Sequence, residues 1–253
     1  MPIYEQPLNE RSRIFLRLEH LFLLLKEHMA PEDEFGLRSF ISTLLSICEL
    51  ILRSDVKTEI IKELERLYKV MLPLQNSKQV DHVQLNDLLE RINLMVTTLK
   101  DPEISIAHEI KESELLNSIK QREPMPAGNC NFDLPNYHFW LHQSEKIQQQ
   151  DIQNWYASIS RVDDAISLIL DLLRNSAHVE QCVAENGFFQ KNIDAKLPFQ
   201  LIRVFIDDDI SAYPEISAGK HRINIRMMQQ ENSDSRPIQY KNNINFKLHS
   251  CKI

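Results

Sequence analysis

Apolar residues recur every three or four positions through the first half of the chain and at every second position near its end. The first spacing marks helices and the second marks strands. Asn9 is placed to cap a first helix whose stripe is Ile14, Leu18, Phe22 and Leu25, and Ala30-Pro31 stops it. Leu37, Phe40, Ile41, Leu44, Leu45, Cys48, Ile51 and Leu52 then keep helical spacing without a miss. Ser54-Asp55 breaks that run and starts a third helix with Val56, Ile60, Leu64, Leu67 and Met71 inward, ended by Pro73. Asp81 opens a fourth, carrying Leu85, Leu88, Leu89, Ile92, Met95, Val96 and Leu99, which stops near Asp101-Pro102. A shorter amphipathic piece covers Ile104–Ile119.

Pro124, Pro126 and Gly128 mark a change of character. The following FDLPNYHFWLH is aromatic and β-prone, which predicts strands around Asn131–Leu134 and Tyr137–His142. Helical spacing returns over Asp151–Ala177, where Trp155, Ile159, Val162, Ile166, Ile169 and Leu173 predict one long helix, buried in a bundle or shared with a second subunit. From Gly187 the period is two: Phe188–Ile193, Phe199–Asp207, Gly219–Met228 and Asn243–His249 read as strands, with turns at Tyr213-Pro214 and Ser217–Gly219. Ile3–Pro7 reads as an edge strand, where proline is tolerated. Helices followed by strands predict an α+β fold with segregated parts. The expected division is an α-helical domain from residues 9–122 and 145–180, and a smaller antiparallel β-strand domain from residues 1–8, 123–144 and 181–253.

The stretch GKHRINIRMM stands out when read with period two. Ile223, Ile225 and Met227 fall on one face, and Arg222, Asn224, Arg226 and Met228 on the other, with Lys220 in the same series. In Asn243–His249 the same alternation sends Ile244, Phe246 and Leu248 inward and Asn245, Lys247 and His249 outward. If these two strands pair, Lys247 joins one basic surface with the arginines. Charge sharpens this picture. The chain carries −7 overall, yet Ser211–Ile253 holds seven Lys/Arg against three Asp/Glu, leaving −11 on the rest. Such a balance suits an acidic peptide better than nucleic acid, although a nucleic-acid-binding regulator using the same face is the alternative. Arg11, Arg13 and Arg17 crowd the first turns of helix one, against its dipole, and Arg53 and Lys57 flank the Ser54-Asp55 corner. Ordinary solvation of a polar face is the competing explanation for all of these cations.

Catalytic signatures are missing. The sequence has no G-x-S-x-G, P-loop or G-x-G-x-x-G, and only four glycines. His138 and His142 stand four apart, which on a helix is about 5–6 Å and suits a metal, but on the expected strand is about 13 Å and does not. His178 with Cys182 has no second pair, and Asp207-Asp208-Asp209 lacks the glycine and glutamate of a calcium loop. Cys48, Cys130, Cys182 and Cys251 are scattered with no C-x-x-C, so free thiols are expected. The reading is a non-enzyme without cofactor or metal. No run of eighteen apolar residues occurs and the first residues do not resemble a signal peptide, so a cytosolic location is expected.

Four passages carry a resemblance: YEQPLNERSRIFLRLEHL, NFDLPNYHFWLH, LDLLRNSA followed by NGFFQ, and YPEISAGKHRINIRMM. Together they resemble the ZapD family, the Z-ring-associated proteins of Gram-negative bacteria, in the family's order across nearly the whole chain. The resemblance implies a cytoplasmic cell-division factor acting at mid-cell, with a helical and a β-strand domain, dimeric mainly through its helices. It implies binding to the C-terminal tail of the tubulin-like protein FtsZ, a short acidic and apolar peptide, and bundling of FtsZ filaments without direct membrane or nucleic-acid binding. The family's tail-binding arginines fall on Arg53, Arg222 and Arg226, with Lys220, Arg13 and Arg17 as further contributors. Lys57 stands where the family pattern has arginine, which keeps charge but loses the bidentate fork. The sequence leaves open whether Lys57, Lys247 or His142 touches the partner, and the seam is expected to include Asp151–Ala177 or its neighbours.

Overall fold

The computed structural model describes residues 1–53, 55–194, 199–219 and 221–253. The chain divides into two compact units, residues 17–169 and residues 1–16 with 170–253. Among the described residues it forms nine α-helices and two four-stranded antiparallel sheets, an α+β fold as the periodicities predict.

The helices are α1 (Glu10–Glu27), α2 (Glu34–Arg53), α3 (Val56–Met71), α4 (His82–Lys100), α5 (His108–Glu112), α6 (Glu114–Arg122), α7 (Pro135–Leu141), α8 (Glu145–Ala157) and α9 (Ser160–Asn175). Their starts follow local chemistry. Asn9 Oδ1 accepts the Ser12 N–H at 2.8 Å, and Asp81 Oδ1 accepts those of Val83 and Gln84 at 2.9 and 3.1 Å. These caps satisfy donors that have no partner within the helix. The stripe of α2 is buried from Leu37 to Ile51, while Leu52 stays outside. By length and composition α2 also suffices to cross a membrane, with mean hydropathy 1.6, but its eight buried residues pack in the protein interior. A membrane span and a core helix share that composition; the stripe of burial is what a core helix shows.

Three expectations about the helical part change. Neither predicted strand forms: Pro135–Leu141 is helix with His142 as its cap, residues 131–134 are turn and irregular chain, and the segment 123–144 belongs to the unit of residues 17–169 rather than with the β-strands. The buried residues are Tyr137, Trp140 and Leu141, a 3–4 spacing that overrides the β-propensity of single aromatics. Pro135 sits in the first turn, where its fixed φ is already helical, and buried Gln148 donates to the carbonyls of Trp140 and Leu141 at 3.2 and 3.0 Å, closing the other end. Asp151–Ala177 is not one helix: α8 and α9 break at Ser158-Ile159. There the Ser158 carbonyl accepts the Ala107 N–H at 3.0 Å, and the Ser158 and Ser160 hydroxyls donate to Trp155 and Ala157 carbonyls, so side chains replace the helical ladder. The piece at Ile104–Ile119 likewise splits at Ser113, whose hydroxyl caps α6.

One buried acid ties this unit together. Asp163 is 3% exposed and accepts the Lys26 ammonium at 2.6 Å and the Tyr156 hydroxyl at 2.7 Å, joining α1, α8 and α9. Burial first, and then donation to Asp163, pushes the Tyr156 phenol far above its ordinary range.

The β unit contains β1 (Ile3–Pro7), β2 (Ala177–Ala184), β3 (Phe188–Asn192), β4 (Leu201–Phe205), β5 (Tyr213–Ala218), β6 (Arg222–Gln229), β7 (Ile238–Gln239) and β8 (Ile244–Cys251). One sheet runs β1-β4-β8-β2; the other runs β3-β6-β5, with β7 also on β6. Tyr213-Pro214, expected as a turn, begins β5, an edge strand where proline loses no ladder bond. The sheets share one core: Ile202, Val204, Ile244, Phe246 and Leu248 from the first meet Ile223, Ile225 and Met227 from the second. The two basic strands do not pair, so the condition for Lys247 to join the arginines is not met. β8 lies between β2 and β4, β6 lies between β3 and β5, and the two strands face each other through the core. Behind the first sheet, Leu201 and Cys251 pack with Leu173 of α9, and Glu5 takes both Arg174 and Arg203 at 2.8 Å.

Asp163→Ala leaves the Lys26 ammonium and the Tyr156 hydroxyl without their shared acceptor. Urea unfolding is expected to show a loss of about 2–4 kcal/mol, the range for a broken buried charge-assisted network. A loss under about 0.5 kcal/mol would show that these partners rehydrate freely.

Candidate functional site

Alternation along β6 fixes the site. Ile223, Ile225 and Met227 are at most 1% exposed, so Arg222, Asn224 and Arg226 must stand on the outer face of the second sheet. Neighbouring strands make two ladder rungs there: Phe188 of β3, Arg226 and Glu215 of β5; then Gln190, Asn224 and Ser217. Arg222 is one rung further on, opposite Asn192. A groove of about 500 Å³ crosses this face, lined by Phe188, Gln190, Glu215, Ile216, Ser217, Asn224 and Arg226. Both arginines are exposed, and among the described residues neither makes an ion pair. Four residues apart on a strand, they stand about 13 Å from each other.

Strand register is held by the corner before β3. Gly187 has φ of +73°, its carbonyl accepts the Met227 N–H at 2.8 Å, and a Cβ there would meet the Tyr240 carbonyl oxygen at 2.1 Å. Only glycine fits that left-handed position against another backbone. Met228, expected outward with the arginines, is buried, flanked in register by Tyr213 of β5 and Gln239 of β7.

The other cations from the sequence fall elsewhere. Lys220 lies outside the described residues. Arg13 and Arg17 stand four residues apart on α1, both exposed; Arg13 pairs with Glu10 at 3.1 Å. Arg53 closes α2 in the unit of residues 17–169 and pairs with Glu49 at 2.6 Å. Lys57 is half-buried on α3, and His142 is exposed at the end of α7. Lys247 is on the outer face of the other sheet, beside Phe205 and Gln181, so it looks away from Arg222 and Arg226. Next to it, burial and the Arg203 and Lys247 charges pull His249 below the usual imidazole range, and its ring lies 4.2 Å from that of Phe205. Arg222 and Arg226 share one outer face as the period of two predicts, whereas Lys247, whose place depended on β6 pairing with β8, does not join them. Sequence reasoning missed Phe188 and Glu215, whose positions depend on which strands flank β6.

Among the described residues no three His, Cys, Asp or Glu side chains gather as a metal site, and the four cysteines are free. Burial pushes the Cys48 thiol up to about 12 and Cys251 up to about 11, which keeps both protonated and unreactive near neutral pH. What the outer face of β6 offers is exposed positive charge beside the apolar edge of Phe188.

Comparison with known proteins identifies the family. A family model for the cell division protein ZapD matches residues 16–226. A ZapD of Methylococcus capsulatus is 36% identical over 251 residues, covering 99% of this chain and 98% of its own. Those of Coxiella burnetii and Chromobacterium violaceum are 36% and 34% identical, each across 99% of this chain and 97% and 99% of their own. The chain belongs to the ZapD family of cell division proteins.

Arg222→Gln and Arg226→Gln remove exposed, unpaired charges, so each should shift unfolding free energy by less than about 0.5 kcal/mol in a denaturant titration. Gly187→Ala has to move the Tyr240 backbone and should lower stability by more than about 2 kcal/mol in the same assay. Equal effects from all three would contradict the corner's role in holding β6.

Proposed function

We propose that this protein is a cytoplasmic division factor that binds the acidic, apolar C-terminal tail of FtsZ on the outer face of β6 and crosslinks FtsZ filaments at mid-cell. The observation that carries this reading is the pair of unpaired, outward arginines on the middle strand of a sheet. Arg222 and Arg226 take carboxylates by charge-assisted, bidentate hydrogen bonds. Phe188, 40% exposed beside Arg226, offers apolar surface to the tail's aliphatic side chains. Arg13, Arg17 and Arg53 supply further cationic contacts, Arg53 after exchanging Glu49 for the tail.

Exposed ion pairs contribute about 0.2–1 kcal/mol each, so one tail binds weakly. A homodimer formed through the helical part presents two such faces to filaments that display many tails, and effective concentration turns weak contacts into bundling. The same dependence on exposed charge makes bundling salt-sensitive, because screening acts over about 10 Å at 0.1 M. Glu215 stands directly across from Arg226 on β5 and opposes an acidic ligand. It also makes the face a poor seat for a nucleic-acid backbone, which repeats negative charge at every step.

FtsZ pelleting tests this reading. Wild-type protein should bundle filaments, and Arg222→Glu with Arg226→Glu should abolish bundling while the variant stays folded with unchanged oligomeric state. Glu215→Gln should strengthen tail binding about two- to fivefold, the effect of deleting one exposed like charge. Bundling unaffected by the double variant would move the site off β6.

A further inference from the structure

The two histidines set aside on the assumption of a strand lie on a helix. His138 is within α7 and His142 caps its end, and their ring centres are 4.4 Å apart with planes at 54°. We propose that this pair is a chelating site for a divalent transition-metal ion, with Cu²⁺ the tightest-bound.

The spacing supports this directly. With a metal–nitrogen distance of about 2.0–2.1 Å, each imidazole centre lies about 3.2 Å from the ion, so two rings at a right angle are about 4.5 Å apart and two at the tetrahedral angle about 5.2 Å. The observed 4.4 Å matches the right angle. Adjacent positions at a right angle belong to tetragonal Cu²⁺ and Ni²⁺ sites rather than to tetrahedral Zn²⁺, and Cu²⁺ heads the affinity order for such donors.

Protonation is set in the same direction. His142 Nδ1 lies 2.9 Å from the His138 backbone carbonyl oxygen. A carbonyl only accepts, so Nδ1 carries the hydrogen and the lone pair is on Nε2. A ligating histidine ordinarily has its other ring nitrogen held by such a partner, which fixes tautomer and orientation.

The scaffold beneath the pair is rigid. Tyr137, Trp140 and Leu141 anchor α7 in the interior, the Trp140 indole donates to Asp151 at 2.8 Å, and Arg38 lies 5.1 Å over the Tyr137 ring. Gln148 ties the last carbonyls of the helix, and Asn136 donates to Ser118 at its start. The rings project from the opposite side, His142 exposed and His138 half-buried. With two protein donors the ion keeps its remaining positions for water, so the site is a surface chelate and not a structural centre. The pair belongs to the unit of residues 17–169, whereas β6 belongs to the other unit.

Titration of the purified full chain with CuCl₂ and, separately, ZnCl₂ tests the assignment, followed by calorimetry and by electron paramagnetic resonance of the copper form. One Cu²⁺ per chain should bind, with a spectrum showing two coupled imidazole nitrogens, and more tightly than Zn²⁺. His142→Gln and His138→Gln should each weaken binding at least about tenfold. Lowering the pH should release the ion, because only neutral imidazole ligates. Thermal melts of the metal-free variants matching wild type keep a folding defect from mimicking lost binding. Copper binding that survives the double His138→Gln/His142→Gln variant, or Zn²⁺ binding more tightly than Cu²⁺, overturns the proposal.

Discussion

Burial of one face of each sheet against the other determines nearly everything that the β unit presents to its surroundings. Ile223, Ile225 and Met227 are at most 1% exposed, and a strand cannot turn one residue inward without turning the next outward. A slip of a single residue in β6 would bury two arginines and expose the core. Moving that much apolar surface into water costs about 1.5–3 kcal/mol for each large side chain, before any cost of burying charge. The basic face is therefore as firmly specified as the core itself. Its position on the middle strand β6 rather than on an edge leaves it little freedom to shift.

The sequence was legible where one period ran uninterrupted. The stripe of α2 and the alternation of β6 and β8 each repeat a single rule long enough to decide the element and its inner face. It was misleading where two rules competed. FDLPNYHFWLH joins β-prone aromatics to a proline, and only the 3–4 spacing of Tyr137, Trp140 and Leu141 shows the helix. The break between α8 and α9 depends on Ala107, distant in sequence, reaching the Ser158 carbonyl. No local pattern announces such a contact.

The site shows the same limit. Which face of β6 turns outward is a local property, and it was readable. Which strands flank it is a property of topology, and it was not. β8 carries the same alternation as β6, yet the two strands oppose each other across the core, and Lys247 looks away from the arginines. Family membership, shown over the full length of relatives at 34–36% identity, supplies the division role that neither period nor topology encodes.

The first strand has a consequence for how the protein is made. β1 pairs Ile3 with Phe205 and Pro7 with Leu201, and Glu5 in its middle holds Arg174 and Arg203. On the ribosome, β1 emerges almost 200 residues before its partner, and all of the unit of residues 17–169 is synthesised in between. Closing so long a loop is slow, and an unpaired strand is a template for wrong partners. Its short length, the charge of Glu5 and the prolines at positions 2 and 7 keep it a poor template while it waits. The helical unit can complete its core during synthesis, whereas the sandwich that carries the arginines can form only after β4 and β8 have been made.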